Sequence, residues 1–533
     1  MSQTSKQSYL KGAAILTMTV AITKVLGFIY KIPIYNILGD EGTAYFTITY
    51  NVYSLLLSLG TAGIPVALSR LISAAGATER HNQVRRYYRI ALAFMTVLGL
   101  FGAAIMFFFA DGFAFAMHEP QSAVGIRVLA PAVLFAFLVA ALRGYSQGHN
   151  DMIPTSISQI SEVLCKLVFG LAIAWYLSSV HAPLADVAGG AIAGVTIGMG
   201  LAVPIMALYN RRLGKRESAG SDKPMSRGDT LREILRVGIP VTFSAIFLNI
   251  ITVIDSSMIM RSLEFGAGFD HKMADVLFGA YSKAMTLYNL PIALVTPIGV
   301  SVVPVIAAAI ATRRLDDDKA TMESAIKVVN LISMPCAVGL CVLAEPIFKL
   351  LYPASNPAGI DCLRGLGISS YFVCTYLITN YILQASGHER VGLIAMPIGG
   401  ITKVIVNIVL VSIPAINIVG AVIGNAACYV LITTVNLIFI FTRMPAPPDI
   451  LKVTLRPAIC TAVMGVGAAA SYGLCARLLH PAGRLMEIVC LGAALIVAVV
   501  IYAALVLALK VIGREDALLL PKGEKIAAFL HLK

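Results

Sequence analysis

Residues 23–74 read TKVLGFIYKIPIYNILGDEGTAYFTITYNVYSLLLSLGTAGIPVALSRLISA. Two long apolar stretches flank a short polar break, Gly39-Asp40-Glu41-Gly42. Each stretch is long enough for a helix that needs about 20 residues to cross a bilayer. Inside the first stand two lysines, Lys24 and Lys31. A cation at that depth costs ~3 kcal/mol on insertion scales, so a chain keeps one there where it faces a wet cavity or a partner. The segment predicts membrane-crossing helices around a polar, positively charged interior. Such an interior suits an anionic substrate.

The same pattern runs through the whole chain. Of 533 residues, 58% are hydrophobic and 13% charged, against about 25% charged in a soluble domain. The mean hydropathy is +0.83. Apolar runs recur from end to end, without the short alternating segments of a transmembrane β-barrel. The expectation is an all-α polytopic membrane protein of about fourteen transmembrane helices, over 12–38, 43–72, 90–110, 122–144, 154–179, 185–209, 233–262, 275–310, 323–344, 363–385, 391–413, 418–441, 453–478 and 485–510. Pro33, Pro65, Pro131, Pro204, Pro240, Pro291, Pro297, Pro304 and Pro397 fall inside these spans. Kinks are tolerated where neighbours or a cavity satisfy the freed backbone groups. The second and eighth spans read as long and irregular, as gating elements would.

The basic residues orient the chain. Of 41 Lys and Arg, about 28 fall in the N-terminal segment, the tail and alternate loops that share one side, and about six in the opposite loops. By the positive-inside rule both termini are cytoplasmic. The net charge of +13 is thereby explained by the membrane surface, and no pattern argues for nucleic acid. The nine cysteines form no C-x-x-C pair and read as small buried hydrophobes. No small-residue cleavage site follows the first apolar run, so the first span is expected to be retained.

The longest hydrophilic break, Arg211–Thr230, reads as a cytoplasmic linker. It implies a first six-helix lobe (1–215), a linker (216–232), a second six-helix lobe (233–445), then two added helices and a tail (446–533). The lobes look duplicated. Gly60 and Pro65 precede Gly299 and Pro304 by 239 residues, and Gly148-His149 precedes Gly387-His388 by the same interval. A duplicated even-numbered unit keeps its orientation, as in parallel transporter repeats.

Seven cations lie in or at the ends of spans: Lys24, Lys31, Arg70, Lys166, Arg261, Lys283 and Lys403. Lys24 is too central for easy snorkelling, and Lys31 lies near the same helix face. Lys283 has Tyr281, Ser282, Tyr288 and Asn289 around it and a proline beyond, which reads as cavity lining. Lys403 and Asn407 either line a cavity or cross-link helices. Glu162 and Lys166 are spaced as an i,i+4 ion pair, with substrate contact as the other reading. Asp255 is a mid-span carboxylate that could hold a coupling ion, carry a proton or pair with a lysine. Arg261 and Arg70 lie where snorkelling is the default. Gly190, Gly194 and Gly198 have small-xxx-small spacing for close helix packing. Asp316-Asp317-Asp318 reads as a solvated turn. No Walker loop, HExxH motif or nucleophile elbow is present, so the expected protein is a transporter and not an enzyme.

The stretch 23–74, with RGYSQGHNDMIPTSISQISE (143–162) and ASGHERVGLIAMPIGGITKVIVNIVL (385–410), resembles the polysaccharide-transporter branch of the MOP exporter superfamily. Within it, the chain is similar to the stage V sporulation protein B group and the MurJ-type lipid II flippases of Gram-positive bacteria. The resemblance implies two six-helix bundles in a V around a central cationic cavity, with a groove for a polyprenyl tail formed by the two added helices. It implies head-group contacts from Lys24, in TKVLGF, and from Lys283, where Ser282 replaces an acid. Tyr30-Lys31 stands where the pattern has Arg-Asp. The resemblance also implies a multi-pass protein of a bacterial plasma membrane, monomeric and without a cofactor. Its partners would be membrane lipids and an undecaprenyl-diphosphate-linked glycan, translocated from the inner to the outer leaflet by alternating access. Coupling to Na+ through Asp255 and Asn407, or to the membrane potential, completes the expectation. The alternatives are a cation-coupled multidrug exporter of the same superfamily, and a flippase for a capsular, teichoic or other polysaccharide lipid precursor.

Overall fold

The computed structural model describes residues 3–216, 222–312, 315–479 and 483–513. Every regular element among them is a helix. Eleven described stretches are long and apolar enough to cross a membrane, the first being the 60-residue Met18–Ala77. The figure of fourteen crossings rests on the sequence, whose fourteen ranges each fall on helix. In hydrocarbon a backbone amide has no water to bond, so the chain must satisfy itself within helices.

Helix α1 runs Gln3–Thr61 and carries the first predicted span and most of the second. The expected polar break is no loop. It is a one-residue joint at Gly39, whose φ of 67° and ψ of −163° only glycine adopts easily. A second break at Ala62 leads into α2 (Gly63–Ala77). There follow α3 (His81–Phe108), the short α4 (Ala110–Ala116) and α5 (Ser122–Gly148). Next, α6 (Ile153–Cys165) passes through a π-helical turn, Lys166–Gly170, into α7 (Leu171–Ser179). Helix α8 is Leu184–Arg216 and α9 is Arg227–Arg261, ending in a second π turn at Ser262–Gly266.

The chain then forms α10 (His271–Thr312), α11 (Leu315–Val342), α12 (Ala344–Leu351), α13 (Ala358–Ala385), α14 (Glu389–Val411) and α15 (Val419–Arg443). The hairpin of α16 (Ile450–Leu479) and α17 (Arg484–Ala508) follows. Helix α10 stays helical over 42 residues through Pro291, Pro297 and Pro304, so the irregularity expected of the eighth span is absent.

By packing the chain divides into two units, Met1–Arg261 and Ser262–Lys533. In the first, α5 is the central helix, with α1, α2, α3 and α8 around it. In the second, α13 holds that place among α10, α11 and α15. The α16–α17 hairpin is fastened to α11: Tyr502 donates to the Leu331 carbonyl at 2.8 Å, and Asn330 donates to Thr454 at 3.1 Å. Helix α9 follows the linker in sequence yet packs on α1, α2 and α3. A Cβ on Gly63 would lie 2.0 Å from the Gly238 carbonyl, so two glycines permit that approach.

Glycine sets the other close contacts too, and in matching places. A Cβ on Gly60 would meet the Phe137 ring at 2.4 Å, and one on Gly299 the Tyr381 ring at 2.2 Å. A Cβ on Gly194 of α8 would meet the Gly170 nitrogen at 2.5 Å and the Lys166 carbonyl at 2.9 Å. A Cβ on Gly424 of α15 would meet Asn407 at 1.9 Å and the Lys403 carbonyl at 3.1 Å. Both units thus press the backbone of a membrane-embedded lysine against a glycine.

Gly194→Val puts branched carbon into backbone atoms that cannot yield. It should cost ~1–3 kcal/mol or more and lower the thermal unfolding midpoint of purified protein by several degrees. Gly112→Ala, where nothing lies within 4 Å, should leave that midpoint unchanged or slightly raised.

Candidate cation site in the first unit

Lys166 opens the π turn, and its Nζ lies 4.9 Å from the Tyr30 ring centroid and 4.8 Å from that of Tyr50. π turns inside α-helices recur at functional positions. Here the turn packs against α8, where a Cβ on Gly194 would meet Gly170. Tyr30 is fully buried and anchored, its hydroxyl donating to the Ala191 carbonyl of α8 at 2.8 Å. Lys31, one residue on, lies 5.8 Å from the Tyr35 ring. Phe46 joins these rings: it is 5.8 Å from Tyr35, 6.5 Å from Tyr30 and stacked at 6.2 Å on Tyr50. Tyr53 closes the row against Tyr50 at 5.8 Å. One aromatic surface, drawn from both arms of α1, therefore carries two ammonium groups. The Gly39 joint lets Tyr30 and Tyr50 meet one lysine.

Glu162 is the carboxylate one turn before Lys166, yet the expected pair between them is not formed. Arg143 of α5 takes Glu162 at 3.2 Å and Ser158 at 3.0 Å. A guanidinium fork suits a carboxylate better than an ammonium does, and the rings provide for the lysine. Both members of the pair are mostly buried, at 18% and 20% exposure. The site thus carries three cations and one anion: Lys31, Lys166, Arg143 and Glu162.

The remaining candidates are dispersed. Lys24 is exposed among exposed Ile22, Val25 and Ile29 and touches none of these rings. Asp255 is buried at 4% exposure on α9, beside Ser256, which accepts a 2.8 Å bond from Asn51 of α1. Arg261 is exposed at the end of α9. In the second unit Lys283 is fully enclosed, 5.5 Å from the Tyr352 ring, which packs on Phe348. Lys403 is half-buried, and Asn407 is buried against Gly424. The second unit also holds an apolar cavity of about 410 Å³ between α11, α13 and α16, lined by Met334, Val338, Ile368, Phe372 and Ala462 among others. Hydrocarbon fits such a lining.

Sequence reading missed Arg143 and the tyrosines. Arg143 stands at the end of the predicted span 122–144, and helix α5 continues past it to Gly148. The available signal was density: Tyr30, Tyr35, Tyr45, Tyr50 and Tyr53 crowd one short stretch.

The fold is that of a polytopic helical membrane protein. It aligns with a solved structure, the lipid II flippase MurJ in an inward closed conformation, at a TM-score of 0.67 and 16% identity, over 93% of this chain and 99% of that one. The chain belongs to the polysaccharide biosynthesis protein family, whose pattern matches residues 9–310. It is similar to the uncharacterized membrane protein YabM of Bacillus subtilis, 24% identical over 524 residues, 98% of this chain and 96% of that protein. It is also similar to the lipid II flippase MurJ of the same organism, 23% identical over 476 residues, 86% and 87% of the two chains.

A double-mutant cycle checks the Arg143–Glu162 pair. Arg143→Met should destabilise the purified protein more than Arg143→Met with Glu162→Gln, because the single change strands a buried carboxylate. A coupling of ~1–2 kcal/mol in thermal unfolding is expected.

Proposed function

We propose that the protein is a flippase for a polyprenyl-diphosphate-linked cell-wall precursor, lipid II foremost, moved from the inner to the outer leaflet of a bacterial plasma membrane by alternating access. The observation that carries this reading is the pair of ammonium groups, Lys31 and Lys166, resting on tyrosine faces inside an apolar helical unit. A cation on an aromatic face gains ~0.5–2 kcal/mol. Charge-assisted bonds to phosphate are roughly twice as strong as neutral ones. An arriving diphosphate therefore draws the ammonium groups off the rings. The vacated tyrosine faces then meet the apolar face of a sugar. Arg143, already neutralised by Glu162, holds the charge balance without competing for the phosphates.

The apolar cavity against α16 supplies hydrocarbon lining for part of the tail. In the second unit, Lys403, and Lys283 once its cover at Tyr352 opens, are further candidates for head-group contact. Asp255, with Asn407 as a second candidate, is the group through which Na+ coupling would act, and the membrane potential returns the empty cationic site inward. The protein works in this reading as a monomer with both termini cytoplasmic.

The test is translocation of lipid II in proteoliposomes, scored by the leaflet it reaches. Lys166→Ala and Lys31→Ala each remove a charge-assisted contact worth ~1.5–3 kcal/mol, so the rate should fall ~10-fold or more. Wild-type rates in both variants would refute the assignment. If lipid II is not carried while a capsular or teichoic carrier lipid is, the substrate reading changes and the site stands. Ala462→Trp, which fills the cavity, should slow a full-length polyprenyl carrier more than a short-chain analogue. Asp255→Asn should abolish any response of the rate to a Na+ gradient.

A further inference from the structure

Helix α3 begins at His81 without a side-chain cap of its own and with no acidic residue in its first turn. Its cap comes from the far end of the linker. The Asp222 carboxylate accepts the Asn82 backbone N–H at 2.9 Å and that of Gln83 at 3.0 Å. The Asn82 side chain donates in turn to the Asp222 carbonyl at 2.9 Å, and the fully buried Gln83 accepts the Met225 N–H at 2.7 Å. Arg86 donates to the Met225 carbonyl, and Tyr87 donates to Glu233 of α9. Desolvation pulls the Asp222 carboxyl upward, but the two N–H groups and the Arg80 charge outweigh it and hold it below its usual range.

Immediately after this segment, Ser226 starts α9. Its hydroxyl accepts the Asp229 N–H at 3.1 Å and donates to the Asp229 carboxylate at 2.6 Å. Four residues, 222–225, therefore bridge the first turn of α3 to the first turn of α9. A carboxylate on free N–H groups at a helix start is favoured by the bonds and by the helix dipole. The contacts are polar and lie at the starts of the two helices, with Asp222 itself only half-buried. Deeper in the unit, α9 is held to its neighbours by glycine contact and the Asn51–Ser256 bond.

We infer that residues 222–225 form a cytoplasmic latch: Asp222 clips the start of α9 to the start of α3, and its release frees the cytoplasmic end of α9. The sequence duplication makes α9 the first helix of the second copy, so the latch ties that copy's leading helix to the first unit. Under the transport reading, the latch sets how often the cytoplasmic ends part. The latch itself does not depend on which substrate is carried.

The experiment needs no substrate. Spin labels on Ala77→Cys, at the end of α2 just before α3, and on Gly228→Cys, in the first turn of α9, both exposed positions, report the separation of these ends in membrane-embedded protein, and amide exchange reports Asn82 and Gln83. The native cysteines are buried or half-buried, so the two introduced thiols label first. The wild type should show a dominant short distance and a minor longer one. Asp222→Ala should shift the ratio toward the longer distance by about fivefold, the effect of losing one helix cap, and speed exchange of both amides. Asp222→Asn, which keeps a carbonyl acceptor, should fall between. Identical distance distributions in all three, or unchanged exchange in Asp222→Ala, overturns the latch. Faster exchange with a single unshifted distance shows a static cap and overturns it equally. Failure of lipid translocation in the wild type bears only on the function.

Discussion

A cation taken out of water inside a hydrocarbon slab must be given a substitute for its lost solvation, and the architecture is arranged around that need. Lys166 receives two tyrosine rings, Arg143 a carboxylate and a hydroxyl, and Lys283 the face of Tyr352. Each solution demands that particular helices lie close together. The tyrosines reach Lys166 only because α1 turns back at Gly39. Lys166 is in reach only because α8 gives way at Gly194, letting the π turn press against it. The packing glycines and the charged residues are parts of one design.

The repeat expected from the sequence has counterparts in the packing of the two units. The carbonyls of Lys166 and Lys403 each face a glycine of the following span, and Gly60 and Gly299 each receive an aromatic ring from the central helix of their unit. The copies have since diverged. Lys166 has Gly170 one turn on, and Lys403 has Asn407, whose side chain fills the corresponding gap. The first unit has an aromatic row around its lysine, and only there, among the described residues, do two ammonium groups rest on one contiguous set of rings. The two lysines differ physically: Lys166 is half-buried on its rings, whereas Lys283 is enclosed beneath Tyr352.

The helical plan was largely legible because hydrocarbon leaves the backbone one option, and apolar length reports it. The predicted ranges 122–144, 154–179 and 418–441 lie within a few residues of α5, the α6–α7 stretch and α15. The joint at Gly39 shows in the sequence only as a short polar break, because a single positive φ leaves no trace in composition. The eighth span reads as long and irregular from its three prolines, yet α10 stays helical through all of them. At the site, Lys31, Lys166 and Glu162 were visible as isolated charges. Their partners were not: Tyr30 and Tyr50 reach Lys166 from a helix more than a hundred residues earlier, and periodicity carries no information about which helices touch. The placement of α9 with the first unit was hidden for the same reason.

The dependence of α3 on a residue 140 positions downstream has a consequence for biogenesis. At ~5–20 residues per second, the ribosome needs on the order of ten seconds to deliver Asp222 after α3 has entered the bilayer. During that interval the first turn of α3 is uncapped, and the faces of α1, α2 and α3 that α9 will cover lie against lipid. The first copy is thus inserted before it is finished. Its completion waits on the opening helix of the second, so a chain cut at the linker would yield two fragments of which neither is a mature half.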